Sequence, residues 1–391
     1  MAMADFTRAG TVSLSCPKLL SGYLEQELLE LGYKPLRVRP TGIDIKGSLN
    51  DCIGLNLNLR TAHRVHYLIS EKPVSDPDEL YEWLVKIPWE EWIDPDGYFS
   101  VTSRINHPSI NNTQFANLKC KDAIVDRIRK TSGRRPDTGA DLNRTVVFLF
   151  WNQQSARIFM DTSGESLSRR GYRQESAMAP MQESLASALL MASGWNPEMH
   201  FVNPMCGSGT IAIEAAMMAR GFEPGAVRKN YGFMHIPGYD RELYKKVRLH
   251  NRVNRIQEPS CRIIATDNYP GAISAARKNA ATAGVEDLIE FSVCDFADTP
   301  IPDGDAVIMM NPPYGERMGE IQQLEQLYNR IGTFLKHSCA GKTGFVFTGN
   351  TELAKKIGLK ASKRIPFYNS TIECRLLEFE LFEGKKRSQA G

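Results

Sequence analysis

Apolar and polar positions change rhythm along this chain. A short strand-like run at residues 11–14 precedes a helical pattern at 19–31, where Leu20, Leu24, Leu28 and Leu31 recur at helical spacing and Gly32 is placed to stop it. An apolar triplet at 43–45, an apolar run at 53–59 and a strand-like run at 65–69 follow. This β-α-β-β character predicts a small α+β module, with a helix packed on a sheet. A second module starts near Asp76, with helices predicted over 78–87 and 115–131 and strands over 98–104, 145–151 and 156–161. From Met181 onward short apolar strands (201–203, 263–267, 289–295, 306–311, 344–348) alternate with helical patterns (181–193, 210–220, 272–283, 324–338). Such alternation means βα units and a parallel sheet. The end breaks the pattern: runs 364–368 and 372–382, joined by Asn369-Ser370-Thr371, read as an antiparallel hairpin.

The length of 391 residues suggests two or three domains at roughly 150 each. We expect them at 1–68, 69–162 and 163–391, with 163–195 as linker and first helix of the last. Hydrophobic residues at 42% and charged residues at 24% exclude disorder as the main state. No apolar run reaches the ~18 residues that span a bilayer, and 1–10, with Asp5 and Arg8, lacks a secretory-type apolar stretch, so no membrane partner and a cytoplasmic setting are expected. The 8 cysteines form no CxxC pair; they read as reduced thiols, with no metal site. Net charge is only +3, yet residues 117–144 hold eight basic against four acidic residues. Lys119, Lys121, Arg127, Lys130, Arg134 and Arg135 in that stretch are candidates for phosphate contact, the alternative being a solvated helix face. Arg169, Arg170 and Arg173 form a second basic group just before the βα units and are candidates for the same contact.

The chemistry lies where the strands of that half end. Asn203-Pro204-Met205-Cys206-Gly207-Ser208-Gly209-Thr210 runs from strand through a Gly-rich turn into a helix. Its glycines allow close approach of a ligand, or else close strand–helix packing, and no lysine follows to make a Walker loop. Asp267 ends the next strand, where an acid in an open α/β sheet bonds ribose hydroxyls; the alternative is a cap before Pro270. The 60-residue spacing from Gly207 to Asp267 exceeds the usual ~20 and points to an insertion at 222–259. That insertion reads either as a substrate lid or as mere packing, with packing plus substrate contact the favoured expectation. Asp295 ends the third strand, followed by Phe296. Together the three strand ends fit an adenosine-containing cofactor.

The fourth strand ends in Asn311-Pro312-Pro313-Tyr314. Consecutive prolines fix the backbone, so the Asn311 side chain and the Pro312 carbonyl are held in one geometry. Both accept hydrogen bonds from a planar exocyclic amine, and Tyr314 offers a face for a base to stack on. An amine conjugated with a ring is a poor nucleophile that two acceptors can align without a strong base. A rigid turn is the alternative.

In this order the motifs resemble those of the class I S-adenosylmethionine-dependent methyltransferases, and Asn311–Tyr314 resembles the element of their amino-methylating branch. The bridge 161–173, with Ala179-Pro180 and Glu183 after it, is similar to the bacterial THUMP-domain RNA methyltransferases, whose characterised members make N2-methylguanine in large-subunit ribosomal RNA. The resemblance implies an α/β fold: a Rossmann-type seven-stranded methyltransferase domain, preceded by α+β ferredoxin-like and THUMP domains. It implies S-adenosyl-L-methionine as cofactor. Asn203, Pro204, Cys206, Gly207, Ser208, Gly209 and Thr210 would lie at its amino-acid end, Asp267 and Asn268 at its ribose, and Asp295 and Phe296 at its adenine. Asn311, Pro312, Pro313 and Tyr314 would be catalytic. Met205 and Cys206, between Pro204 and Gly207, depart from the family pattern, and Cys206 lacks a visible base that would make it a nucleophile. RNA is the implied partner, ribosomal or transfer; adenine N6 in DNA or RNA stays open as the acceptor, because both bases present a planar amine. The oligomeric state is not encoded in any of these patterns.

Overall fold

The computed structural model describes residues 3–110, 112–175, 181–253, 255–315 and 321–383; Ala179-Pro180 of the bridge and Asn254 of the insertion lie outside them. The chain forms two compact units. One comprises Met1–Pro17, Leu24–Leu167 and Arg228–Asn251, the other Lys18–Tyr23, Ser168–Val227 and Arg252–Gly391.

The first unit is built on β1 (Gly10–Ser15), α1 (Ser21–Glu30, from Leu24 on), β2 (Pro35–Arg39), β3 (Gly42–Gly47), α2 (Leu49–Asn58), β4 (Arg64–Lys72), α3 (Pro77–Leu84), β5 (Tyr98–Asn106), α4 (Thr113–Ser132), β6 (Asp137–Thr138), β7 (Thr145–Asn152) and β8 (Ala156–Asp161). The apolar run at 53–59 is helical. Ser48 and Asp51 form a reciprocal capping box at the start of α2, a signal present in the sequence that the run itself concealed. The eight strands make one sheet in the order β2-β3-β1-β4-β8-β7-β5-β6. The boundary expected at 68/69 therefore falls inside β4, which pairs with β1 on one side and β8 on the other. A register shift between Leu68 and Ser70 lets one strand serve both neighbours.

The second unit follows with α5 (Glu183–Ala192), β9 (His200–Pro204), α6 (Thr210–Ala219), α7 (Arg241–Val253), β10 (Ile263–Asp267), α8 (Pro270–Ala283), β11 (Ile289–Val293), β12 (Ala306–Met310), α9 (Ile321–Ser338), β13 (Thr343–Thr348), α10 (Thr351–Lys355), β14 (Lys363–Asn369) and β15 (Ile372–Glu380), although α7 up to Asn251 belongs to the first unit. The sheet order is β11-β10-β9-β12-β13-β15-β14. Its first five strands pair in parallel, and β15 enters antiparallel between β13 and β14. All five residues of β12 are buried, as expected of a strand covered on both faces. Helix α9 packs Tyr328, Ile331 and Leu335 into the same core as Ile308, Met310 and Val346. Because β9, β10, β11 and β12 are parallel, their carboxyl ends share one edge of the sheet. That edge carries every strand-end motif read from the sequence.

The insertion parts company with the domain that carries it in sequence. Arg228–Asn251 packs with the first unit, and the bridge after β8 explains how. Asp161 takes the Ser163 and Gly164 N–H groups at 2.9 and 3.1 Å and pairs with Arg64. Arg228 then reaches the carbonyls of Ser163, Glu165 and Ser166 at 2.7–3.0 Å. Gly232 lies so close to Asp161 that a Cβ would sit 2.3 Å from its carbonyl oxygen. Half of the bridge motif is thus a structural hub.

Candidate functional site

Three backbone positions shape the turn between β9 and α6: Met205, Gly207 and Gly209 have φ of 57°, 55° and 82°. Gly209 is required twice over, since its φ is left-handed and a Cβ would lie 2.9 Å from the Ala276 Cβ on α8. Asp267 fastens the turn to the end of β10. Its Oδ2 accepts the Gly207 N–H at 2.9 Å, and its Oδ1 accepts the Tyr269 N–H at 3.0 Å. The turn role weighed for Asp267 before Pro270 is thus present in its bond to the Tyr269 N–H. Asn203, buried in β9, donates to the Met309 carbonyl at 2.8 Å and so links β9 to β12 near Asn311.

Asp267, Asn268, Asp295 and Phe296 line one small cleft with Met205, Leu327 and Arg330. Arg330, on α9, donates to Asp295 Oδ1 at 2.7 Å and lies 4.9 Å above the Phe296 ring. Burial pushes the Asp295 carboxyl up, but the Arg330 guanidinium and the Ala297 N–H outweigh it and hold it below the usual range. Arg330 carries no sequence signal, because its role depends on how α9 crosses the strand ends. Cys206 is half-buried, and desolvation pushes its thiol up, the wrong direction for a nucleophile.

Asn311 follows β12 directly. Its Oδ1 is buried and has no hydrogen-bond partner among the described residues. A buried carbonyl oxygen without a partner costs about 1–3 kcal/mol, which a ligand donor would recover. The Tyr314 hydroxyl accepts from Asn369 Nδ2 at 2.8 Å, and its ring meets Phe347 edge-on at 6.4 Å. Gly349 lies behind the ring, where a Cβ would stand 3.0 Å from Cε2 and 2.8 Å from Ile372 Cγ2. The terminal hairpin therefore supports Tyr314, a function its topology alone did not suggest. Burial pushes the Tyr314 phenol up to about 12, against the opposing Asn369 bond.

Two basic residues expected to touch phosphate do not face outward. Arg170 is 2% exposed, beside the fully buried Glu214, which also accepts from Tyr172 and Ser187 at 3.0 and 2.6 Å. Arg173 forks onto Glu183 at 3.1 Å and reaches Ser208 Oγ, Thr210 Oγ1 and the Met181 carbonyl at 3.4, 3.2 and 2.9 Å. Both readings are corrected: these side chains bind acids and the Gly-rich turn inside their own unit. Asn279 completes the brace, donating to the Ser208 and Glu175 carbonyls at 3.1 Å each. An amide among the buried alanines 275, 276, 280 and 283 of α8 was the available signal. Arg169 is exposed.

On the first unit, Arg127 is bonded twice to Glu90, at 2.6 and 3.1 Å, Lys119 pairs with Asp78 at 2.8 Å, and Lys121 pairs with Asp122 at 2.9 Å. Arg134 pairs with Asp96, both exposed. Lys130 and Arg135 are exposed. Lys119 and Arg135 line a groove with Tyr81 and Arg129.

The parallel sheet, the Gly-rich turn, the acids at neighbouring strand ends and the reversed last strand define a class I methyltransferase domain. The chain belongs to the RMKL-like methyltransferase family: that domain's family model matches residues 170–378, with a THUMP domain at 74–156 and an RlmL ferredoxin-like domain at 11–66. It is 37% identical over 381 residues to ribosomal RNA large subunit methyltransferase K/L of Syntrophotalea carbinolica, covering 94% of this chain and 53% of that protein. The chain spans about half the length of the K/L relatives it matches. It is 32% identical to slr0064 of Synechocystis sp., which carries an RNA methyltransferase name, covering 93% of this chain and 94% of that protein. The crystal structure of SMU.472, named as a methyltransferase and complexed with SAH, superposes with a TM-score of 0.87 at 27% identity, covering 97% of this chain and all of that one.

Proposed function

We propose that this chain transfers a methyl group from S-adenosylmethionine to the exocyclic N2 of a guanine in large-subunit ribosomal RNA. The observation that carries the reading is the buried Asn311 Oδ1, without a partner among the described residues, at the edge where Asp267 ends β10 and Asp295 follows β11. The residues fit the cofactor. Gly207 and Gly209 leave the turn without side chains, Ser208 and Thr210 supply hydroxyls, Asp267 would take the ribose with Asn268, and Asp295 with Phe296 the adenine. When bound there, the cofactor supplies a methyl group on a positively charged sulfur.

The chain's own residues position the acceptor. Asn311 Oδ1 and the Pro312 carbonyl accept from the two N–H bonds of the target amine and draw its lone pair out of conjugation with the ring, toward the methyl donor, and one N–H proton is lost as the methyl group is gained. Pro312 and Pro313 keep the two acceptors from moving apart. Tyr314 stays a neutral phenol, so its ring stacks on the base without adding charge beside an incoming cation. A base paired in a duplex does not reach this edge, so the target is single-stranded or flipped out. The ribosomal substrate is supported by the names of the K/L relatives, and RNA by the THUMP match.

The test is methylation of total RNA with labelled cofactor, followed by digestion to nucleosides. Label in N2-methylguanosine of large-subunit RNA is the expected result. Label in transfer RNA moves the substrate, label in N6-methyladenosine moves the acceptor, and no label overturns the reading.

A further inference from the structure

Two stretches of the first unit carry an excess of basic residues. Residues 117–144 carry a net +4, and Arg228–Asn251, with six basic and two acidic residues, carries another +4, although the whole chain is only +3. Both stretches belong to the same folded unit.

The second stretch ends in α7, which is held against that unit near both ends. The Tyr244 ring lies 6.0 Å from the fully buried Phe233 and 6.4 Å from Tyr239. Toward the other end, Asn251 donates to Asn58 Oδ1 at 3.1 Å. Leu243, Tyr244, Val247 and Arg248 are half-buried along one face, while Arg241, Lys245, Lys246, Leu249, Arg252 and Val253 are exposed. Leu249 is 62% and Val253 76% exposed. None of the helix's residues is fully buried.

A helix of this kind is expensive unless something complements it. Arg241 and Lys245, and Arg248 and Arg252, are like-charged pairs one turn apart, each opposing the helix by about 0.2–0.5 kcal/mol. The only acid on α7, Glu242, pairs with Lys245 at 2.7 Å. Asp240, just before it, accepts the Glu242 and Leu243 N–H groups at 2.7 and 3.2 Å and so serves the helix start. Arg241, Lys246 and Arg252 have no ion pair among the described residues. A merely solvated helix interleaves acids with its bases, and this one does not. Two exposed apolar residues are too few to seat a helix in a membrane interface, whereas an outward row of cations suits a phosphate backbone.

We propose that the outer face of α7 is an RNA-backbone contact surface, with Arg241, Lys245 and Lys246 meeting phosphates. This rests on the RNA substrate proposed above.

The experiment compares binding of a large-subunit ribosomal RNA transcript by the wild type and by Lys245→Glu/Lys246→Glu over a range of salt, with Arg134→Glu/Arg135→Glu alongside and methylation of the same RNA measured in parallel. We expect the α7 variant to bind about tenfold more weakly and its slope of log K against log salt to be shallower by about 2, since each lost phosphate contact removes ~0.9. Cofactor affinity should not change, which shows that the fold is intact; the neutral pair Lys245→Gln/Lys246→Gln gives the same direction with less repulsion should the double Glu misfold. Wild-type RNA affinity and slope in both variants overturn the proposal. So does a variant that loses binding to anionic vesicles but not to RNA. If the wild type methylates the RNA and the α7 variants bind it equally well, this inference alone falls; if the wild type neither binds nor methylates RNA, the functional reading falls with it.

Discussion

Replacing Arg173 by alanine separates two readings of one residue. In the sequence it belongs to a basic group suited to phosphate; in the structure its guanidinium holds Glu183, Ser208, Thr210 and the Met181 carbonyl at 2.9–3.4 Å. The side chains of the Arg173–Glu183 pair are 16% and 7% exposed. Removing one member of a buried pair costs about 3–5 kcal/mol. Two features lower that here: Arg173 keeps some contact with water, and burial already pushes the Glu183 carboxyl up, with Arg173 opposing it, so without Arg173 it can take a proton. We expect a loss of about 2–3 kcal/mol, or roughly 5–10 °C in Tm at ~2–4 °C per kcal/mol for a unit of this size. Ser208 and Thr210 lose their tether, so affinity for the cofactor should fall about tenfold, equivalent to 1.4 kcal/mol. Arg173→Lys keeps the charge but not the fork and should fall between. Thermal unfolding, calorimetry with S-adenosylmethionine and RNA binding form the assay. Weaker RNA binding with wild-type Tm and cofactor affinity would refute the reasoning and return Arg173 to the phosphate surface.

Asn311→Ala should abolish turnover, by at least a hundredfold in kcat, with cofactor affinity within about twofold of wild type; single-turnover methylation and calorimetry check this, and equal loss of both means its role is misassigned. Gly349→Ala puts a methyl group against the Tyr314 ring and Ile372, so kcat should drop about tenfold or more with little change in cofactor affinity, and unaltered kcat would show that Tyr314 does not orient the acceptor. The Tyr314 phenol is raised from the ordinary value of 10.0 to about 12 by burial. The folded protein thus keeps a proton that the unfolded chain releases between those values, and the resulting stability is full below pH 10 and lost as pH rises toward 12. Burial also raises Tyr33, Tyr172, Tyr239 and Tyr328, so ultraviolet titration of the wild type and of Tyr314→Phe should differ by one late-ionising tyrosine; a difference of one normally titrating tyrosine contradicts the burial argument.

Much of the candidate site was legible because its signals are local. Gly207 and Gly209 announce a left-handed turn, Pro312 and Pro313 a fixed backbone, and βα alternation places both at strand ends, where a parallel sheet puts acids such as Asp267 and Asp295 on one edge. The apolar run at 53–59 was ambiguous because short apolar runs suit a strand or a buried helix equally, and the deciding capping box lies outside the run.

The sequence by itself determined the alternation of strands and helices, the reversed end of the second sheet and the backbone shape of the strand-end motifs, since periodicity, glycine and proline act over a few neighbouring residues. Tertiary structure decided the rest. It joined two modules through β4, sent Arg228–Asn251 to the first unit, set Arg330 against Asp295, and turned Arg170 and Arg173 inward. A charge becomes a surface contact or an internal clamp according to which acid folds beside it, and Glu183 and Glu214 reach these arginines only when separate helices pack.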